Sequence, residues 1–92
     1  MFEITTIDDT LVGKASTKKE AFELMLNHAK SLAAGNIAIL PHDCYTNAVK
    51  SGMHQDRVPY LVQDWDNKDQ WDFSWFKGDE CISECFWIDE KD

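Results

Sequence analysis

Residues 2–7, Phe-Glu-Ile-Thr-Thr-Ile, are rich in β-branched and aromatic side chains and predict a strand. Asp8-Asp9-Thr10 is a turn signal, because short polar side chains there hydrogen-bond the local backbone. Leu11 to Ala15 predicts the returning strand, weakened at Gly13. Thr17 and Glu20 form the Thr-x-x-Glu capping box of a helix start, although Lys18 and Lys19 in the first turn oppose the helix dipole. Between residues 18 and 34 the apolar positions are Phe22, Met25, Leu26, Ala29, Leu32 and Ala33. Their spacing makes one helical stripe that faces a core, with Gly35 as the residue just past the helix end. His28 falls on the flank of that helix and reads as a boundary histidine.

Asn36 to Leu40 predicts a short buried strand that ends before Pro41. Asp43 is placed to cap a short helix through Val49, with Gly52 near its end. In Arg57–Trp65, Val58, Tyr60 and Val62 share one face of a strand, and Pro59, which lacks an N–H, predicts a sheet edge. Asp66-Asn67-Lys68-Asp69 is a turn. From Gln70 to Phe76 the chain alternates: Trp71, Phe73 and Trp75 fall on one face, and Gln70, Asp72 and Ser74 on the other. Such alternation marks a half-buried antiparallel strand. Gly78-Asp79-Glu80 turns the chain again, and Cys81 to Asp89 forms a last strand. There Ile82, Phe86 and Ile88 point one way, and Cys81, Ser83, Cys85 and Trp87 the other. Glu84 falls on the apolar face, which predicts a bulge or a sheet edge. The last three strands make a meander, and the helix covers one face of the combined sheet. The expected fold is α+β, an antiparallel β-sheet of about five to six strands packed against one main α-helix, as a single domain over residues 1–92.

Composition supports that picture and narrows it. A chain of 92 residues can bury one modest core, and 43% apolar with 28% charged residues argues against wholesale disorder. No apolar run approaches the roughly 18 residues of a membrane span, and the N-terminus lacks the basic-then-apolar order of a signal peptide. A cytoplasmic protein (in the host cytoplasm, if viral) with no membrane partner is therefore expected.

Charge changes the picture more. Seventeen acids against nine bases give a net charge of −8. Residues 1–55 hold six acids and five bases, while residues 56–92 hold eleven acids and four bases. The second segment thus carries nearly all of the excess. A field of this sign repels nucleic acid and anionic membranes and attracts basic partners. The alternative reading is a small protein that keeps its charge away from zero for solubility.

The candidate chemistry is thin. Cys44, Cys81 and Cys85 are an odd number, so no disulfide framework is expected. His42, Cys44, His54, Cys81 and Cys85 lack paired zinc-ligand spacing, and on a strand Cys81 and Cys85 would lie about 13 Å apart. Cys44, beside His42 at a helix start, is conceivable as a nucleophile, but Asp43 opposes a lowered thiol pKa. Asp64, Asp66, Asp69 and Asp72 resemble a cation loop, yet the glycine and glutamate an EF-hand needs are replaced by Asp69 and Trp75. No glycine-rich phosphate loop, Gly-x-Ser-x-Gly or His-Glu-x-x-His is present. The expectation is no enzyme, no cofactor and no metal.

All four tryptophans lie between residues 65 and 87, interleaved with acids. Trp71, Phe73 and Trp75 read as core, whereas Trp65 and Trp87 fall away from the most apolar faces and are interface candidates. The partner-binding set is then Asp64, Asp66, Asp69, Asp72, Asp79, Glu80, Asp89 and Glu90 with Trp65 and Trp87. Rows of carboxylates on strands and adjacent turns imitate spaced phosphates and would pair with Arg and Lys. In size, acidity and α+β pattern the chain resembles the small phage proteins that block host defence, the anti-restriction inhibitors and anti-CRISPR proteins. That resemblance implies an inhibitor that occupies the basic groove of a nucleic-acid-binding host protein without binding nucleic acid itself. The competing reading is an acidic adaptor or assembly module that works through aromatic patches and can homodimerise.

Overall fold

A computed structural model describes residues 1–41, 52, 56–64 and 66–91. The strands are β1 (Phe2–Thr6), β2 (Leu11–Ala15), β3 (Ala38–Leu40), β4 (Tyr60–Gln63), β5 (Gln70–Lys77) and β6 (Glu80–Glu90), with one helix, α1 (Lys18–Ala33), between β2 and β3. Among the described residues they form one six-stranded sheet in the order β2-β1-β6-β5-β4-β3. The fold is α+β, with a single helix packed on a mostly antiparallel sheet, and β4-β5-β6 is the expected meander.

Strand alternation decides which residues meet the helix. Ile4, Leu61, Phe73, Phe86 and Ile88 share the covered face in register and are buried. Over them α1 lays the row Ala21, Met25, Ala29 and Ala33, each one helical turn from the next. Alanine at three of the four positions lets the helix backbone approach, so the sheet supplies most of the bulk. Phe22 and Leu26 flank the row, and the Phe22 ring meets Trp71 at 5.2 Å between centroids. His28 sits edge-on to Phe86 at 5.6 Å, as a boundary histidine would. Ala21, absent from the expected stripe, belongs to its centre.

The helix ends are both built by side chains or special backbone. Thr17 accepts a hydrogen bond from the Glu20 N–H at 3.1 Å, while the Glu20 carboxylate accepts from the Ser16 N–H rather than closing the box on Thr17. Lys18, which opposes the dipole, instead pairs with Asp69 at 2.6 Å and so brings a carboxylate to the helix start. At the other end Gly35 does not take the left-handed position. Ala34 does, at φ 56°, with the Gly35 N–H reaching the Lys30 carbonyl at 3.1 Å. The six-to-one hydrogen bond closes around the residue before the glycine, so the glycine sits one place too late.

Three further expectations need correction. β3 is an edge strand with half-buried Ala38 and Leu40, and Ile39 is 40% exposed, so it is not a buried strand. It also runs parallel to β4, in an otherwise antiparallel sheet. Pro59 does not mark an edge. It precedes β4, which lies between β3 and β5, and its carbonyl accepts the Ala38 N–H at 2.9 Å. Proline removes a donor but keeps its acceptor, so it can stand at the mouth of an interior strand. The expected helix at residues 43–49 lies outside the described residues.

Gly13 does more than weaken β2. The register slips between Ile4 and Thr5, leaving Val12 as an extra residue on β2, and a Cβ at Gly13 would meet the Leu24 side chain at 3.2 Å. The glycine therefore allows the bulged strand to lie close under α1.

Candidate functional site

β6 explains the misplaced charge at Glu84. It pairs with β5 along its full length, from Gln70↔Trp87 to Lys77↔Glu80. Its pairing with β1 runs only from Phe2↔Glu90 to Thr6↔Phe86. The hairpin turns through Gly78 and Asp79, with Gly78 at φ +61° as a two-residue turn requires. Counting from that turn, the N–H groups of Cys81, Ser83 and Cys85 point away from β5. The Cys85 N–H thus emerges just past the end of β1, and the Glu84 carboxylate folds back to accept it at 3.1 Å. Glu84 marks a sheet edge; the β5–β6 register is continuous there, with no bulge.

Beside this edge the sheet face away from α1 carries a depression of about 340 Å³. Its described lining includes Tyr60, Val62, Asp72, Ser74, Ser83 and Cys85, which share that face in register, with Glu84 and Ile7 at the side. Tyr60 and Val62 are buried, and Asp72 and Cys85 are half-buried. The Cys85 thiol donates to Asp72 Oδ1 at 2.8 Å and accepts from the Gln70 side-chain amide at 3.5 Å. Burial pushes the Cys85 thiol up to about 12, reinforced by the hydrogen bond to Asp72 and by its charge. A thiol held that high is a donor at neutral pH, not a nucleophile. Cys81, four residues earlier on the same strand, is exposed and lies across from Phe76.

The expected partner-binding residues fall in three places. Asp64, Asp66 and Asp69 gather at the β4–β5 turn, and Asp89 and Glu90 lie at the same end of the β5–β6 hairpin, where the Ile88 N–H bonds the Asp69 carbonyl at 2.9 Å. Asp79 and Glu80 occupy the opposite end, about 23 Å away by strand rise. Asp72 lies between, in the depression. Two of the first group have structural duties. Asp64 Oδ2 accepts the N–H groups of Asp66 and Asn67 at 3.0 and 2.8 Å, and Asp69 pairs with Lys18. Asp66, Asp79, Glu80, Asp89 and Glu90 are exposed, and none forms an ion pair with a described residue. At the hairpin tip Arg57, itself at φ 57°, donates to the Gly78 carbonyl at 2.6 Å and accepts from the Trp75 indole at 3.1 Å. This arginine and Lys77, whose ammonium lies 5.5 Å from the Trp75 ring, offset the two acids of the tip. The excess negative charge therefore concentrates at the β4–β5 end and in the depression.

Trp87 is half-buried on the open face, between Thr5 and Gln70 in register. Trp65, His42, Cys44 and His54 lie outside the described residues. Among the described residues no three carboxylate, thiol or imidazole groups are disposed to hold a metal ion, and no helix is long and apolar enough to cross a membrane. Sequence reasoning missed Tyr60, Ser74, Ser83 and Cys85 as neighbours of Asp72. The available signal was Glu84, a charge on an apolar face beside three alternating polar positions. Comparison with protein-family models, with curated proteins and with solved structures finds no match to this chain.

Proposed function

We propose that this is a non-enzymatic binding protein that engages the basic groove of a nucleic-acid-binding protein and occupies it in place of phosphates. The observation that carries this reading is the set of exposed acids at the β4–β5 end, Asp66, Asp89 and Glu90, none of which forms an ion pair with a described residue. Carboxylates held on strand ends and tight turns are presented to a partner with little ordering cost. Restriction or CRISPR complexes in a host cytoplasm are the class of target that the acidity and size suggest. The adaptor reading, with self-association, has one observation in its favour: Ile7 is 71% exposed and Leu11, nearby at the β1–β2 turn, is also exposed.

Capture of basic nucleic-acid-binding proteins on the immobilised chain, followed by competition with duplex DNA, tests the reading. DNA should displace the captured partner, and association should slow as salt rises, because exposed charges are screened over about 8 Å at physiological salt. Asp66→Lys with Asp89→Lys reverses four units of charge at sites that form no ion pair with a described residue. It should slow association about tenfold at low salt and leave the fold intact. A partner indifferent to DNA and to salt, and lost instead with Trp87→Ala or Ile7→Ser, would establish the adaptor.

A further inference from the structure

We propose that the open edge of β6 takes an extended basic segment of the partner as an added strand, in line with β1. This rests on the reading above for the sign of the partner's charge, while the edge itself is a property of the sheet. β6 pairs with β5 from Glu80 onward, but β1 reaches it only at Phe86 and ends at Thr6. Residues 80–85 therefore have a strand on one side only, among the described residues. Cys81 and Ser83, both exposed, each aim an N–H and a carbonyl out of the sheet there, and no described group meets them. The Cys85 N–H is the exception, capped by Glu84. Unpaired backbone groups in a row, held straight by a full ladder behind them, are a template for one more strand. The open stretch is about 20 Å long, room for roughly six extended residues.

The side chains along the edge choose the occupant. Glu80, Ile82 and Glu84 alternate toward one face, with Cys81 and Ser83 between them toward the other. A second copy of this chain is one candidate, because an antiparallel pair centred on Ile82 would match Cys81 to Ser83 and align their donors and acceptors. That register sets Glu80 against the other copy's Glu84, and like charges directly across a pair are destabilising. A register centred on Ser83 instead drives Glu80 into the place opposite Phe86 that Thr6 already fills. The net charge of −8 on each copy adds to the repulsion. A segment with a cation at two alternate positions and an apolar residue midway reverses the sign. Its cations lie across from Glu80 and Glu84, and its middle side chain across from Ile82. Ile7, 71% exposed just past β1 and lining the depression with Ser83 and Glu84, gives the end of such a segment apolar surface to cover. Glu84 thus acts twice: an inward charge on an edge discourages self-pairing, and the same charge selects a basic strand.

The probe is the peptide acetyl-Thr-Arg-Thr-Val-Thr-Arg-Thr-amide, read by backbone amide NMR and hydrogen exchange on the whole chain. At about ten times its dissociation constant it should slow exchange of the Cys81 and Ser83 amides about tenfold and leave α1 unaffected. The same peptide N-methylated at the threonines on either side of valine keeps its charge but loses the donors that face β6, and should give no protection. Glutamate in place of both arginines should abolish binding, and Glu80→Gln with Glu84→Gln should weaken the original peptide about fivefold. Ser83→Pro deletes an outward N–H without touching the β5 ladder, so the fold should hold while peptide binding is lost. If that variant fails to fold, the N-methylated peptide makes the same test from the other strand. Equal binding by the N-methylated or the acidic peptide would overturn the proposal. So would protection of Cys81 and Ser83 that rises with protein concentration alone, which seats a second copy at the edge. If the peptide pairs with the edge but no DNA-displaceable partner is captured, the edge stands and the groove-occupying function falls. If such a partner is captured equally by Ser83→Pro, the function stands and the edge proposal is overturned.

Discussion

On β5 the side chain of Phe73 is 1% exposed beneath α1, while Asp72, one residue earlier, lies on the opposite face beside a neutral thiol. Each strand of the sheet serves both environments, and the two faces obey different accounting. Under the helix the governing quantity is apolar area removed from water, roughly 25 cal/mol per Å². Ile4, Phe73, Phe86 and the Met25 row have no polar side-chain atoms to satisfy. On the open face each buried or half-buried polar group must be matched to a donor or acceptor, and Asp72, Gln70 and Cys85 form one such set. The covered face fixes the fold. The open face holds charge that the fold does not use.

The largest test of this contrast is a pair of neighbouring substitutions. Phe73→Ala should cost about 3–5 kcal/mol, through lost transfer free energy and an unfilled cavity. Asp72→Asn keeps the volume and an acceptor, and should change stability by less than about 1 kcal/mol. Urea unfolding of both variants decides it. Comparable losses would mean that the open face also carries structural weight.

That asymmetry was legible in the residues of β5 and β6, because period-two alternation reports which positions share a face. The α1 stripe, the Thr17 cap and the three-strand meander followed from equally local signals. What the sequence withheld was neighbour identity. Nothing local to Ala38–Leu40 says that it lies parallel to β4, and Pro59 was misleading because its backbone acceptor is used while its missing donor is not needed. The depression is illegible for the same reason: Tyr60 and Ser83 meet only through the order β6-β5-β4. Asp64 could have been recognised, since an aspartate two residues before a polar turn is a common cap of that turn. The charge count alone treated it as a ligand-binding acid.

A smaller effect sharpens the description of the open face. Cys85 has its folded pKa raised from an ordinary 9.0 to about 12. The native state therefore keeps a proton that the unfolded chain loses first, so stability must fall as pH rises through that interval. The contribution is complete below pH 9 and is lost as pH passes through about 12. Cys85→Ala should flatten this alkaline limb, measured as the difference between the two proteins in urea unfolding across the interval. In Asp72→Asn the thiol pKa should drop, because the hydrogen bond and the charge that raise it act through Asp72. Alkylation rate against pH reads that shift. An unmoved profile in Asp72→Asn would leave burial and the Glu84 charge as the causes and remove the thiol from its role of holding Asp72.

The smallest effect concerns the element that makes one face covered and the other open. α1 ends with Ala34 in the left-handed region at φ 56°, where the Cβ of an L-residue crowds the following carbonyl. Glycine carries no such penalty, and its greater freedom in the unfolded chain offsets part of the gain. Ala34→Gly should therefore stabilise the protein by about 0.5–1 kcal/mol. Ala34 is exposed, so no packing is lost to set against this. Because the change tightens only the end of the covering helix, the Cys85 titration should be indifferent to it. Thermal or urea unfolding gives the first result and the alkylation rate of Cys85 against pH gives the second. Destabilisation by glycine would mean that the Ala34 backbone is not left-handed in solution, and that α1 ends on Gly35 after all. A moved Cys85 profile would mean that the two faces are coupled through the sheet, and the separation between the covered and the open face would have to be given up.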